Sequence, residues 1–119
     1  MHALGTIMPQ TEVLLGPVAN PCRPTTLALW DSGTFPNVCT EALLETFQGW
    51  TEVMATWRPV FILADGKCVR PAKLVQIQVG LTNGFNPKPL FWVLKDGCSS
   101  MIIGTDTMTR LGANVCNDL

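Results

Sequence analysis

Three short stretches of this 119-residue chain place residue types at spacings that chemistry could use. The first is Leu27-Ala28-Leu29-Trp30-Asp31-Ser32-Gly33-Thr34, an acid directly after an apolar run, followed by a hydroxyl and a glycine. By itself Asp-Ser-Gly is an ordinary turn, in which Asp caps, Ser bonds backbone and Gly takes a positive φ. Its chemical reading is a carboxylate loop at the end of a hydrophobic strand. Two such carboxylates in contact would share one proton, because both cannot ionise at that distance. The second stretch, Met101 to Ala113, reads as strand, Gly turn, capped helix and Gly stop. The third, Pro59 to Lys67, centres on Asp65-Gly66, a strong hairpin signal.

Other chemistries lack their residues. The single histidine is His2, near the terminus, so no Ser-His-Asp or Cys-His pair is expected. Zinc is not expected either, and the sequence predicts neither metal nor cofactor. The five cysteines, Cys22, Cys39, Cys68, Cys98 and Cys116, are odd in number and contain no C-x-x-C. They read as buried thiols of an intracellular, reducing compartment, the cytoplasm, rather than as a disulfide framework. No Lys or Arg precedes Arg23 and no long apolar core follows, so no secretory signal is read.

The elements that must position these residues are mostly strands. Thr11–Leu15, Thr25–Trp30, Leu90–Leu94 and Met101–Ile103 read as strands, with strand pieces at Val53–Trp57 and Pro59–Ala64. Cys68–Val79 sets Leu74, Gln76 and Gln78 against Val75, Ile77 and Val79, which predicts a strand with two unlike faces. Thr40 is placed to cap a short helix over Glu41–Phe47, with Gly49 beyond it. Thr105 or Asp106 would cap a brief helix to Leu111, and Ala113–Cys116 would make a last strand. The pattern is all-β with one or two short helices, closer to a small barrel than to alternating β-α units. By length it is one domain, with a partly extended N-terminal segment over 1–23 and the remainder over 24–119.

Charged residues are only 14% of the chain, against about 25% in an average soluble domain. Such a chain is either a piece of a longer polypeptide or one that buries surface against a partner. Eight Lys+Arg against nine Asp+Glu leave no basic surplus, so no nucleic-acid partner is expected. No apolar run approaches the roughly 18 residues of a membrane span, and no membrane partner is expected.

In this order the three stretches carry a resemblance. The chain resembles the retropepsins, the aspartic proteases of retroviruses and LTR retrotransposons, and especially the gypsy-type branch. Asp31-Ser32-Gly33 matches the family's D-[ST]-G, Val60 to Gly66 is similar to the strand and tip of its flap, and Leu90–Leu94 resembles the strand before its second motif. Ile102-Ile103-Gly104-Thr105-Asp106 and the residues to Ala113 resemble its I-[IL]-G-x-D-x-L-x-x-L-G-A segment. The likeness runs from about Thr25 to Val115.

The resemblance implies a small closed barrel of the retropepsin type, working as a homodimer on a peptide or polyprotein substrate. Each subunit would contribute one Asp31, with Ser32 bracing the paired loops and Gly33 admitting close backbone approach. Thr34, Phe35, Ala64, Asp65, Gly66 and Lys67 would bind substrate, the last three as a flap. Gly104 and Asp106 would hold the loop beneath the site. A dimer interface would take in residues around Val13–Leu15 and Cys116, and Trp30 would be a core or interface aromatic. The chain departs from the family at Thr34, Phe35, Pro36 and Thr105, and its flap has only Gly66. Three readings follow: an active homodimeric endopeptidase, a retropepsin-like domain retained for dimerisation or partner binding, and an unrelated β interaction module.

Overall fold

The computed structural model of the protein describes residues 10–31, 33, 36–62, 65–97 and 99–111. Its strands arise where apolar and polar residues alternate or where short apolar runs lie between turns. β1 (Gln10–Leu15) and β2 (Thr25–Trp30) form an antiparallel pair in which Thr11 faces Ala28 and Val13 faces Thr26. β3 (Val38–Thr40) leads into α1 (Glu41–Leu44), and β4 (Trp50–Val53) follows. A separate two-stranded hairpin is formed by β5 (Phe61–Ile62) and β6 (Cys68–Val69). β7 (Lys73–Ile77), β8 (Val79–Gly80), β9 (Leu90–Leu94), β10 (Met101–Ile103) and α2 (Thr105–Arg110) complete the described chain.

Eight strands form one sheet in the order β4-β7-β9-β3-β10-β2-β1-β8. The sheet curls until it meets itself. β7 pairs with β4 and β9 at one end, and its continuation β8 pairs with β1 at the other. The switch occurs at Gln78, whose carbonyl accepts from the Gly16 N–H at 2.9 Å. One continuous run, 73–80, therefore closes the barrel. The alternation expected there is present: Val75, Ile77 and Val79 are buried, while Gln76 is exposed. With Val13, Leu15, Ala28, Phe91, Val93, Met101 and Ile103 they form the core.

The expected elements at Thr25–Trp30, Leu90–Leu94 and Met101–Ile103 hold residue for residue. Others shift for local reasons. The run 68–79 is broken at Pro71, which has no N–H to give to a ladder, and at the side-switching Gln78. The strand near Val53–Trp57 lies earlier, over Trp50–Val53, because its partner β7 begins at Lys73, opposite the end of β4. Thr40 does cap α1, its hydroxyl accepting from the Leu43 N–H at 3.3 Å. The helix stops at Leu44 rather than Phe47 because both the N–H and the hydroxyl of Thr46 turn back onto the Leu43 carbonyl. α2 is capped by Gly104, not Thr105 or Asp106, and has no side-chain cap. Val13 and Leu15 are spent inside the barrel, at 1% exposure each, so the interface expected around them is reduced to Leu14. The strand expected at Ala113–Cys116 lies outside the described residues. Among the described residues no helix is long and apolar enough to cross a membrane.

The thiols divide by environment. Cys39 is wholly buried on β3, whereas Cys22 and Cys68 are exposed, so only the first fits the expectation of buried thiols; Cys98 and Cys116 lie outside the described residues. Burial pushes the Cys39 thiol from 9.0 up to about 12, with Lys73 opposing the shift. Since the unfolded thiol ionises first, Cys39 supports the fold fully below about pH 9, and that contribution is lost as pH rises towards 12. Alkylation mapped by mass spectrometry at pH 8 should label Cys22 and Cys68 rapidly and Cys39 only after unfolding. Labelling of native Cys39 at the rate of the other two would refute this placement.

Candidate active site

The candidate site begins with a topological constraint. β2 and β3 follow one another in sequence, yet β10 lies between them, parallel to β2 and antiparallel to β3. The chain must therefore arch from 31 to 37 over the end of β10. Asp31 is the first residue of that arch. Its N–H donates to the Ile103 carbonyl at 3.0 Å, extending the β2–β10 ladder by one rung and fixing the backbone from which the carboxylate projects.

Side chains two apart on a strand share a face. Leu27, Leu29 and Asp31 thus fall on one face of β2, and buried Ala28 and half-buried Trp30 on the other. Leu27 is 57% exposed, and with Leu29, Gln10, Thr26, Ser99 and Ser100 it lines a groove of about 320 Å³. Leu27 and Leu29 are its apolar residues, and the other four supply hydroxyl and amide groups. Trp30 packs against the core, and its indole N–H donates to the Thr11 hydroxyl at 2.8 Å.

Asp31 is half-buried, and its Oδ1 accepts from the Gly33 N–H at 2.8 Å. This is the Asx turn expected of Asp-Ser-Gly. A Cβ at Gly33 would stand 3.2 Å from Oδ1, so glycine keeps that side of the carboxylate open. Ser32, Thr34 and Phe35 lie outside the described residues, as does Ala64.

The far end of the arch is held by a residue that sequence reasoning missed. Asn37 is 4% exposed, and both ends of its amide are used. Its oxygen accepts from the Gly104 N–H at 2.8 Å, and its NH₂ donates to the Leu90 carbonyl at 2.9 Å and to the Thr107 hydroxyl. Its own carbonyl accepts from the Trp92 N–H at 3.0 Å. One side chain thus ties the arch to β9, to the turn after β10 and to α2. Gly104 holds the loop beneath the arch through this bond. Asp106 instead faces Arg110 in a surface pair at 3.5 Å, of the kind that contributes little. The local signal was only a polar residue before Val38-Cys39; its side-chain partners lie 53, 67 and 70 residues away.

The hairpin forms as expected. Gly66 has a φ of 86°, which favours glycine, and Asp65 Oδ1 accepts from the Lys67 N–H at 2.9 Å. All three residues are exposed, and no hydrogen bond among the described residues links them to the arch. Asp31 thus lies against Gly33 and against Ile103, which precedes Gly104, and Asp65–Lys67 belong to the separate β5–β6 hairpin.

No protein-family model matches the chain, and no curated protein matches it. Among solved structures it is similar to EIAV protease complexed with the inhibitor HBY-793, at 18% identity and a TM-score of 0.62, over 94% of this chain and 95% of that one. It is also similar to the retroviral protease-like domain of Ddi1 from Leishmania major, at 19% identity and a TM-score of 0.59, over 87% of this chain and 76% of that one. The fold is retropepsin-like.

Replacing Asn37 by Ala strands the buried Gly104 N–H and frees the part-buried Leu90 carbonyl, at about 1–3 kcal/mol for a buried group left unpaired. Urea unfolding of Asn37→Ala should show a loss of about 2–4 kcal/mol. A loss below about 1 kcal/mol would mean that the amide is not what holds the arch.

Proposed function

We propose that the protein is an aspartic endopeptidase that works as a homodimer, with one Asp31 from each subunit. The observation that carries this reading is the position of Asp31 on a retropepsin-like fold. It is half-buried at the end of two parallel strands, on the same face of β2 as Leu27 and Leu29, with glycine beside its carboxylate.

In this reading the two carboxylates share one proton and hold a water between them. The ionised carboxylate takes a proton as the water oxygen bonds to the scissile carbonyl carbon. The protonated one donates to the carbonyl oxygen, giving a neutral tetrahedral diol. Collapse of the diol breaks the C–N bond as a proton passes to the leaving nitrogen, and the pair returns to its shared-proton state. The substrate is an extended peptide, hydrogen-bonded like a strand, with apolar or uncharged side chains seated over Leu27 and Leu29. Asp65–Lys67 form the flap, Ser32 braces the paired arches, and Thr34, Phe35 and Ala64 contact the substrate. A retropepsin-like domain retained for dimerisation or binding is the second reading. Thr34, Phe35 and Pro36 favour it: Thr34 stands where the resembled family usually has alanine, Phe35 where it often has a polar or acidic residue that binds substrate backbone, and Pro36 removes a donor.

Cleavage of an apolar-flanked peptide should fall on the order of 10³-fold or more in Asp31→Asn, and a statine-type inhibitor should block it. Activity that survives Asp31→Asn would overturn the assignment, and a folded dimer with no turnover would establish the second reading. Sedimentation should find twice the 13.0 kDa chain mass. Adding an equal amount of Asp31→Asn chain to the wild type should remove about half of the activity, since mixed dimers hold one aspartate. Undiminished activity in the mixture would refute a shared site.

A further inference from the structure

The charges of this chain are unevenly placed. Residues 54–74 hold Arg58, Lys67, Arg70 and Lys73 against Asp65 alone, a charge of +3 in a chain of net −1. Three of these cations converge in space. Arg58 and Lys73 line a cleft of about 420 Å³ together with Val53, Met54, Leu74 and Glu52. Arg70 reaches the same place, its guanidinium donating to the Arg58 carbonyl at 3.3 Å. Lys73 Nζ sits 4.6 Å above the Trp50 ring. The single ion pair among the described residues is Asp106–Arg110, so neither cation of the cleft is matched to Glu52.

The surroundings of the cleft are apolar and exposed. Met54 is 93% exposed and Trp57 is 66% exposed, with the Trp57 ring 6.2 Å from Trp92. The backbone is open as well. β4, which supplies Glu52 and Val53, is the outer strand of the sheet, paired with β7 on one side and with no strand among the described residues on the other. It lies five places from β2 in the strand order, and the cleft shares no lining residue with the groove beside Asp31. An edge strand in a stable monomer is ordinarily blunted by inward charges, proline or a cover. Here the edge is flanked by unmatched cations and exposed apolar side chains.

We propose that this edge is a docking site for an acidic, apolar-rich segment of a partner protein, which adds to β4 as an extra strand. Backbone pairing along Trp50–Val53 supplies the register. Arg58, Arg70 and Lys73 select glutamate or aspartate on the incoming strand and steer its approach. Met54 and Trp57 receive its apolar side chains. The cations are too few, and the face too apolar, for a phosphate backbone to be the preferred ligand. The site is independent of the proteolytic reading, so it stands or falls without it.

The probe is a fluorescein-labelled decapeptide alternating glutamate with valine, measured by anisotropy against the full chain carrying Asp31→Asn, so that any cleavage is suppressed. The expected result is saturable binding that weakens at least about tenfold in Arg58→Glu/Lys73→Glu, a change of about 1.4 kcal/mol. The same peptide with lysine for glutamate should not bind the wild-type surface, and should bind the charge-reversed one. Trp57→Ala should weaken binding without charge reversal, and circular dichroism melts confirm that each variant is folded. If Arg58→Glu/Lys73→Glu fails to fold, the exposed Arg70→Glu carries the test, with the same direction of effect. Absent binding of the glutamate peptide, binding indifferent to the reversals, or tighter binding of single-stranded RNA or of vesicles of equal parts phosphatidylcholine and phosphatidylserine would each overturn the proposal.

Discussion

The amide of Asn37 is the interaction on which the site depends. Inserting β10 between β2 and β3 makes the chain cross over a strand end, and the buried Gly104 N–H just beyond that end takes its partner from the Asn37 side chain. Buried backbone groups of this kind must be paired. A side chain with both a donor and an acceptor, at the foot of the arch, pairs it and binds the Leu90 carbonyl and Thr107 as well. The arch is then anchored at both ends, by Asn37 at its foot and by the Asp31–Ile103 rung at its head. The backbone from which the Asp31 carboxylate projects is fixed by that rung.

The rest of the barrel supports this anchoring. The run 73–80 belongs to both ends of the sheet, so the core side chains Val75, Ile77 and Val79 pack against β9 and β1 together. Closure removes most of the strand edges that a curled sheet would otherwise expose. What closure does not cover is β4 and the small β5–β6 hairpin, and the exposed apolar side chains Met54, Trp57, Val60 and Ile62 gather in that part of the chain. The low charge content is therefore concentrated in effect. The core is conventional, and the two most exposed of the large apolar side chains, Met54 and Ile62, lie along one arm, which also carries half of the cations.

That distribution sharpens the choice left open by composition, between a piece of a longer polypeptide and a chain that hides surface against a partner. The interface expected at Val13–Leu15 is largely consumed inside the subunit. The apolar face of β2 at Leu27 and Leu29, and the basic arm around Trp57, are the surfaces that remain. They differ in chemistry, one uncharged with hydroxyl and amide groups, the other cationic, and so suit different ligands.

By itself the sequence determined what depends on neighbours within a few residues. β2, β9 and β10 are legible because each is an apolar run bounded by proline, glycine or polar breaks, and the Asp65-Gly66 turn and the Thr40 cap are legible because their bonds span two or three residues. The Asp31 loop is legible for the same reason, as its Asx turn closes on Gly33. Only the tertiary structure decided the rest. It set β10 between β2 and β3, broke the run 68–79 into three strands, and gave Asn37 its partners. The place of β10 beside β2 and β3 and the side-chain partners of Asn37 join residues more than 50 positions apart. Local propensity states which residues extend, but burial of the whole core selects which extended segments meet.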